Sequence, residues 1–167
     1  MTPFIDPPRR LPLLLRPFVW IAETIVGKRL LPARLLAWYP RAAIGSGVLE
    51  ALVAHGGPER DGRDVSPRLL KLIRVRASLT IACPYCVDMN SFEYEEAGVT
   101  VEELEAMRDG DLSAFAPRER AAIEYAKAIS ETPLAFSAEL VGRVREHFSE
   151  RQMVILATTA AQVGYWR

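Results

Sequence analysis

The chain has 167 residues, half of them hydrophobic and a quarter charged, and its 21 basic and 21 acidic residues balance to a net charge of zero. This length suits one buried core, so we predict a single domain over residues 1–167. The composition is that of a globular protein, and nothing in the even charge balance indicates a polyanion-binding surface, so we expect no nucleic-acid partner.

The N-terminal segment combines basic residues with an apolar stretch, as secretion signals do. Pro12, Arg16, Pro17 and Glu23 interrupt that stretch, and no small-residue cleavage site follows it cleanly. No run approaches the roughly 18 consecutive apolar residues of a membrane span. We therefore expect a cytoplasmic protein without a membrane partner, in which the proline-rich residues 1–15 form an irregular arm.

Apolar residues at helical spacing predict helices along most of the chain, and strand patterns are nearly absent. In the first third, the predicted helices are one ending at Gly27, a short one from Pro32 to Tyr39, and one from Ala43 to His55. A polar loop is predicted over residues 58–64.

Capping signals organise the remainder of the chain. Ser66 followed by Pro67 is typical of a helix start, and two capping-box patterns predict further starts after Thr100 and Ser149. Amphipathic helices are predicted over 117–130 and 137–147. The sequence therefore predicts an all-α protein of about seven to nine helices.

Two cysteines, Cys83 and Cys86, stand three residues apart, and the chain has no others. Pro84 lacks an N–H and suits the first turn of a helix, so we predict a break near Cys83 and a new helix from about Pro84 to Ala97, ending at Gly98. Residues three apart at a helix start lie roughly 5–6 Å apart on one face, close enough for a disulfide. The positive end of that helix lowers a cysteine pKa.

Three interpretations of the cysteine pair are open: a redox dithiol, part of a metal site, or two thiols that only pack. A structural zinc needs four ligands, and the only histidines, His55 and His147, are remote in sequence. In a reducing cytosol such a pair is more typical of redox chemistry or metal binding than of a structural staple. We favour the redox dithiol, and without a glycine-rich nucleotide loop, flavin or haem motif we expect no cofactor.

The segment LLKLIRVRASLTIACPYCVDMNSFEYEEAGVTVEELEAM, residues 69–107, resembles the alkylhydroperoxidase D (AhpD) and carboxymuconolactone decarboxylase superfamily, an all-helical fold built around a CxxC. The signature region covers residues 66–98, and a looser resemblance extends over residues 30–167. The resemblance implies an AhpD-like bundle that assembles as a dimer, trimer or hexamer. It also implies reduction of a hydroperoxide or another small oxidant, with electrons from a dithiol such as dihydrolipoamide on a carrier protein.

The resemblance also implies roles for individual residues. In the peroxidase branch the second cysteine attacks the hydroperoxide, the first resolves it to a disulfide, and a glutamate and a histidine relay protons. This makes Cys86 the peroxidatic thiol and Cys83 the resolving one, whereas the relay positions hold Lys71 and Asn90. Asparagine does not titrate and lysine is a cation near neutral pH, so we expect a slow peroxidase or a different proton carrier.

Several residues are candidates to replace the relay. Glu93 follows Asn90 by three residues and is predicted to share a helix face with Cys86. Lys71 is a candidate cation for the thiolate, and Asp88 and His55 are looser candidates. Two other functions stay open: a decarboxylase of the carboxymuconolactone branch, which generally lacks this CxxC, and a non-enzymatic oligomer whose dithiol senses redox state or stiffens the fold.

Overall fold

The structure is a computed structural model, and it describes residues 5–53 and 64–165. Within these residues it contains nine α-helices, one 3₁₀-helix and no β-strand, which confirms the all-α prediction and its number of helices. No helix in these two ranges has both the length and the apolar character needed to cross a membrane. Contacts divide the chain into two compact units, Met1–Leu52 and Val53–Arg167, and the single-domain interpretation stays a prediction.

The first unit contains the helices α1 (Arg16–Val26) and α2 (Leu31–Leu36) and all but the last residue of α3 (Pro40–Val53). α1 ends where the sequence predicts, because Gly27 adopts the left-handed conformation with φ 66°. Glu23 on α1 accepts two hydrogen bonds of 2.6 Å from the Arg34 guanidinium on α2. This bonding lowers the pKa of the Glu23 carboxyl, and it fixes the turn between α1 and α2.

The second unit is built around one central helix, α4. The helices of this unit are α4 (Pro67–Thr80), α5 (Pro84–Ser91), a 3₁₀-helix (Glu95–Ala97), α6 (Val101–Asp109), α7 (Pro117–Ser130), α8 (Ala138–His147) and α9 (Glu150–Tyr165). α4 packs against α5, α7 and α9. Its residues Leu72 and Ile73 are fully buried, so α4 supplies the middle of the core and leads directly into the cysteine pair.

Local capping signals predict the helix starts of this unit correctly. Ser66 Oγ accepts a hydrogen bond from a backbone N–H in the first turn of α4. Thr100 and Glu103 form a capping box before α6, and Ser149 and Gln152 exchange the same pair of bonds before α9. α7 begins and ends at its predicted residues. These signals act within one helical turn, so the sequence alone reveals them.

Arg68 clamps the starts of α6 and α7 to α4. Its Nε donates to Glu119 at 2.7 Å, and its two terminal nitrogens donate to Glu103 at 2.5 and 3.1 Å. Both carboxylates also accept the backbone N–H at the start of their own helix, from Thr100 and Ala116. The guanidinium lowers the pKa of the Glu103 carboxyl. Because one guanidinium binds two carboxylates, the clamp is a network of charges rather than a single exposed ion pair.

The helix that follows the cysteines is shorter than predicted. α5 ends at Ser91 instead of Ala97, because Phe92 leaves the helical conformation and Glu93 adopts a left-handed one with φ 53°. A separate 3₁₀-helix follows and stops at Gly98, φ 72°. The predicted stop at Gly98 is therefore correct, but the prediction of one continuous helix up to it is wrong.

Candidate functional site

The turn between α4 and α5 positions the first cysteine. Ala82 has a left-handed backbone with φ 50°, and its N–H donates to the Leu79 carbonyl at 3.2 Å while the Cys83 N–H donates to the Ser78 carbonyl at 3.4 Å. This pair of bonds is the Schellman arrangement that ends many helices, usually with glycine at the left-handed position. The turn closes α4 and delivers Cys83 directly to the start of α5.

Cys83 is the N-cap residue of α5, and Pro84 occupies the first position of the helix. Cys83 Sγ accepts a hydrogen bond from the Cys86 N–H at 3.2 Å. The two cysteines are joined in a disulfide, with their Cα atoms 5.2 Å apart. Cys86 is 2% exposed, whereas Cys83 is only partly buried. The predicted placement of the pair at a helix N-terminus is confirmed.

A group of hydrogen bonds, which we call the amide latch, holds α5 against α4. The Asn90 amide nitrogen donates to Ser78 Oγ at 3.0 Å and to the Cys86 carbonyl at 2.8 Å, and its oxygen accepts from Arg74 Nε at 2.8 Å. Ser78 is fully buried, and its hydroxyl also lies 3.1 Å from the Cys86 carbonyl. The Asn90 amide therefore holds the Cys86 carbonyl through its N–H donors and is itself held by Arg74 through its oxygen. This structural role does not require an ionisable side chain.

Lys71 makes its contact at the other end of α5. Its Nζ donates to the Phe92 carbonyl at 2.5 Å. At a rise of 1.5 Å per residue, Phe92 lies about 9 Å from Cys86 along the helix axis. Burial and the Arg74 charge lower the pKa of Lys71, against the opposite influence of Glu93 and Glu96. A cation at a helix C-terminus complements the helix dipole, so Lys71 stabilises the end of α5.

The remaining predicted relay candidates do not gather around the cysteines. Glu93 is exposed and lies beyond the end of α5, so the prediction that it shares a helix face with Cys86 and Asn90 is wrong. Asp88 is on α5 and exposed, and its role stays a prediction. His55 lies outside the described residues.

Sequence reasoning missed Ser78 and the contact that Arg74 makes. Both residues follow Lys71 on one stripe of α4, at intervals of three and four residues. This polar stripe in an apolar helix, immediately before the CxxC, was the available signal. Among the described residues, no group of three or more His, Cys, Asp or Glu side chains is placed to hold a metal ion.

Comparison with known proteins gives this site a context. Residues 47–128 match the carboxymuconolactone decarboxylase family. The chain is also 30% identical over 153 residues to the uncharacterized protein YnjA of Escherichia coli (strain K12), covering 91% of this chain and 81% of YnjA.

The chain belongs to the carboxymuconolactone decarboxylase family.

Two solved structures show the same fold. An alanine variant of the debrominase Bmp8 in complex with 2,3,4-tribromopyrrole superimposes with a TM-score of 0.79, at 22% identity over 99% of this chain and 86% of that chain. An uncharacterized peroxidase-related protein with an alkylhydroperoxidase AhpD core, from Ralstonia eutropha JMP134, gives a TM-score of 0.76 at 19% identity over 99% of this chain and 87% of the other. The family match confirms the resemblance to the alkylhydroperoxidase D and carboxymuconolactone decarboxylase superfamily, and these two structures show that the chain has the same fold.

Within this family fold, the chemistry available to the site is that of a dithiol. The helix N-terminus favours thiolate over thiol, and the short Cα separation lets the two sulfurs exchange a bond without large backbone movement. A pair held in this way is suited to accept and return two electrons.

Proposed function

We propose that this protein is a thiol oxidoreductase that reduces hydroperoxides by cycling Cys83 and Cys86 between dithiol and disulfide. The observation that carries the proposal is the disulfide-bonded pair at the N-terminus of α5, with the Cys86 N–H directed at Cys83 Sγ. Family membership supports the proposal, because the AhpD-like branch of the superfamily contains peroxidases.

The oxidative half of the cycle consumes both thiols. One thiolate attacks the hydroperoxide, so that an S–O bond forms, the O–O bond breaks and the alkoxide leaves as the alcohol after taking a proton. The second cysteine then attacks the sulfenic sulfur, which forms the disulfide and releases water. One hydroperoxide is reduced to alcohol and water for each disulfide formed.

The reductive half needs an external dithiol. Dihydrolipoamide on a carrier protein has the required chemistry, since its two thiols form a disulfide as Cys83 and Cys86 are released. No metal or organic cofactor enters this cycle. We also propose that the protein works as a homo-oligomer in the cytoplasm.

The rate is expected to be modest. The two positions that carry the proton relay in related peroxidases are Lys71 and Asn90, and both side chains are engaged in holding α5. General acid–base assistance is typically worth about 10²–10⁴-fold in rate. We therefore expect a peroxidase that is faster than a free thiol but slower than one with an intact relay.

The proposal is tested by mixing the reduced protein with cumene hydroperoxide at pH 7 and following hydroperoxide loss and disulfide formation together. We expect one equivalent of hydroperoxide to be consumed per chain, with a Cys83–Cys86 disulfide as the product detected by mass spectrometry. Dihydrolipoamide then restores the dithiol and supports further turnovers.

The matched control is Cys83→Ser/Cys86→Ser, which differs from the wild type by two oxygen-for-sulfur exchanges and cannot form the disulfide. It should consume no hydroperoxide above background. A wild-type rate equal to that of free cysteine at the same pH would refute the peroxidase proposal.

A second two-electron reaction fits the same cysteine pair, namely reductive removal of halogen. A thiolate that attacks a carbon-bound bromine forms an S–Br bond, the carbon takes a proton, and the second thiolate expels bromide as the disulfide forms. The observation that favours this reaction is the fold shared with the debrominase Bmp8 along 99% of the chain. Bromide release from 2,3,4-tribromopyrrole, measured by ion chromatography with the reduced protein, distinguishes it from hydroperoxide reduction.

A further inference from the structure

We infer that Cys83 is the sulfur that reacts with external substrates and reductants, and that Cys86 is the internal partner. This order is the reverse of the one that the family resemblance implies. It rests on the proposed dithiol cycle and assigns the two sulfurs of that cycle their roles.

The first observation is access. Cys86 is 2% exposed and belongs to the core of the second unit. Cys83 is partly exposed, and its neighbours in the chain, Ala82 and Pro84, are both exposed. A hydroperoxide or a dithiol has to reach the sulfur from solvent, and Cys83 is the more exposed of the two cysteines.

The second observation is the electrostatic environment of Cys83 Sγ. Cys83 is the N-cap residue of α5, and its sulfur accepts the Cys86 N–H at 3.2 Å. This is the position at which a helix stabilises a negative charge most directly. The Cys83 thiolate is therefore favoured by a fixed hydrogen bond.

The third observation is the amide latch. Ser78 and Asn90 both contact the Cys86 carbonyl, and Asn90 is in turn held by Arg74. These bonds fix the backbone of Cys86, and its side chain is buried in the core of the second unit. A fixed, buried thiol is suited to resolve a neighbouring sulfenic acid and to leave during disulfide reduction.

The three observations give one sequence of bond changes. The Cys83 thiolate takes the terminal oxygen of the hydroperoxide and the alcohol departs. Cys86 then attacks the Cys83 sulfur, the disulfide forms and water leaves. For regeneration, a thiolate of the external dithiol attacks the Cys83 sulfur and expels the Cys86 thiolate. The second thiol of the reductant then attacks the reductant sulfur that is bonded to Cys83, which closes the reductant's disulfide and frees the Cys83 thiolate.

The test is competitive alkylation of the reduced wild-type chain with a limiting amount of iodoacetamide at pH 7. Tandem mass spectrometry of the singly labelled peptide shows which cysteine carries the label. We expect Cys83 to be labelled about tenfold faster than Cys86. A ratio below about threefold, or a preference for Cys86, would overturn the assignment.

Single-cysteine variants provide a second measurement. Cys86→Ser leaves Cys83 available and should exchange rapidly with the chromogenic disulfide 5,5′-dithiobis(2-nitrobenzoate), whereas Cys83→Ser should exchange slowly. Equal rates, or the opposite order, contradict the inference, and far-UV circular dichroism verifies that both variants are folded. Neither measurement uses a hydroperoxide, so the order of the sulfurs and the peroxidase proposal can fail independently.

Discussion

Removing the Asn90 amide should destabilise the second unit substantially, although Asn90 is not ionisable and is only partly buried. Asn90→Ala deletes the bonds to Arg74 Nε, to Ser78 Oγ and to the Cys86 carbonyl. It also leaves the fully buried Ser78 hydroxyl without one of its partners. These losses all fall on the packing of α4 against α5.

The size of the effect follows from the bonds that are lost. Two neutral hydrogen bonds contribute about 1 kcal/mol each, and the bond from the Arg74 guanidinium contributes about 1.5–3 kcal/mol. Water reaches a partly buried position and offsets part of this sum, so we expect the free energy of unfolding to fall by about 3 kcal/mol. For a chain of this length, that corresponds to a melting temperature lower by about 6–12 °C.

Urea and thermal unfolding of the oxidised proteins, followed by far-UV circular dichroism, measure this change. Asn90→Asp is the matched control, because it keeps an oxygen for Arg74 but removes both N–H donors, and it should lose about half as much stability. In a double-mutant cycle with Ser78→Ala, the two changes should couple by about 0.5–1 kcal/mol. An Asn90→Ala chain within about 0.5 kcal/mol of the wild type would refute the latch.

Three further predictions concern the same unit. Arg68→Met should lower the free energy of unfolding by about 2 kcal/mol at pH 7, because two partly buried carboxylates lose their partner. The pKa of the Glu103 carboxyl is depressed in the folded chain. Its contribution to the free energy of unfolding is therefore present above about pH 4.5 and is lost as the pH falls through the folded pKa. Urea titrations should show a smaller stability difference between wild type and Arg68→Met at pH 3 than at pH 7, and an equal difference at both would contradict this origin. Ala82→Gly should stabilise the chain by up to about 1 kcal/mol, since glycine adopts the left-handed conformation without the Cβ penalty, and an unchanged or lower melting temperature would contradict it. Reducing the Cys83–Cys86 disulfide should lower the free energy of unfolding by only about 2 kcal/mol, because the disulfide closes a very short loop. Circular dichroism should therefore show the same helical content with and without dithiothreitol. Unfolding on reduction would rule out a dithiol cycle on this fold.

The sequence alone was sufficient for the features that depend on neighbours within one helical turn. The capping residues Ser66, Thr100 and Ser149 each bond to atoms three residues away, and the pattern of such residues is visible in the printed chain. The same holds for the cysteine pair, because the spacing of three and Pro84 together specify two thiols at a helix start.

Only the tertiary structure decided what surrounds that pair. The contacts of Asn90 with Ser78 and of Lys71 with Phe92 join residues 12 and 21 positions apart, and they exist because α5 folds back along α4. Periodicity shows neither these contacts nor the change of backbone conformation at Phe92 and Glu93, after which α5 does not continue. The unequal burial of Cys83 and Cys86 is also a tertiary feature, since Cys86 packs in the core of the second unit whereas Cys83 lies at the helix end between the exposed residues Ala82 and Pro84.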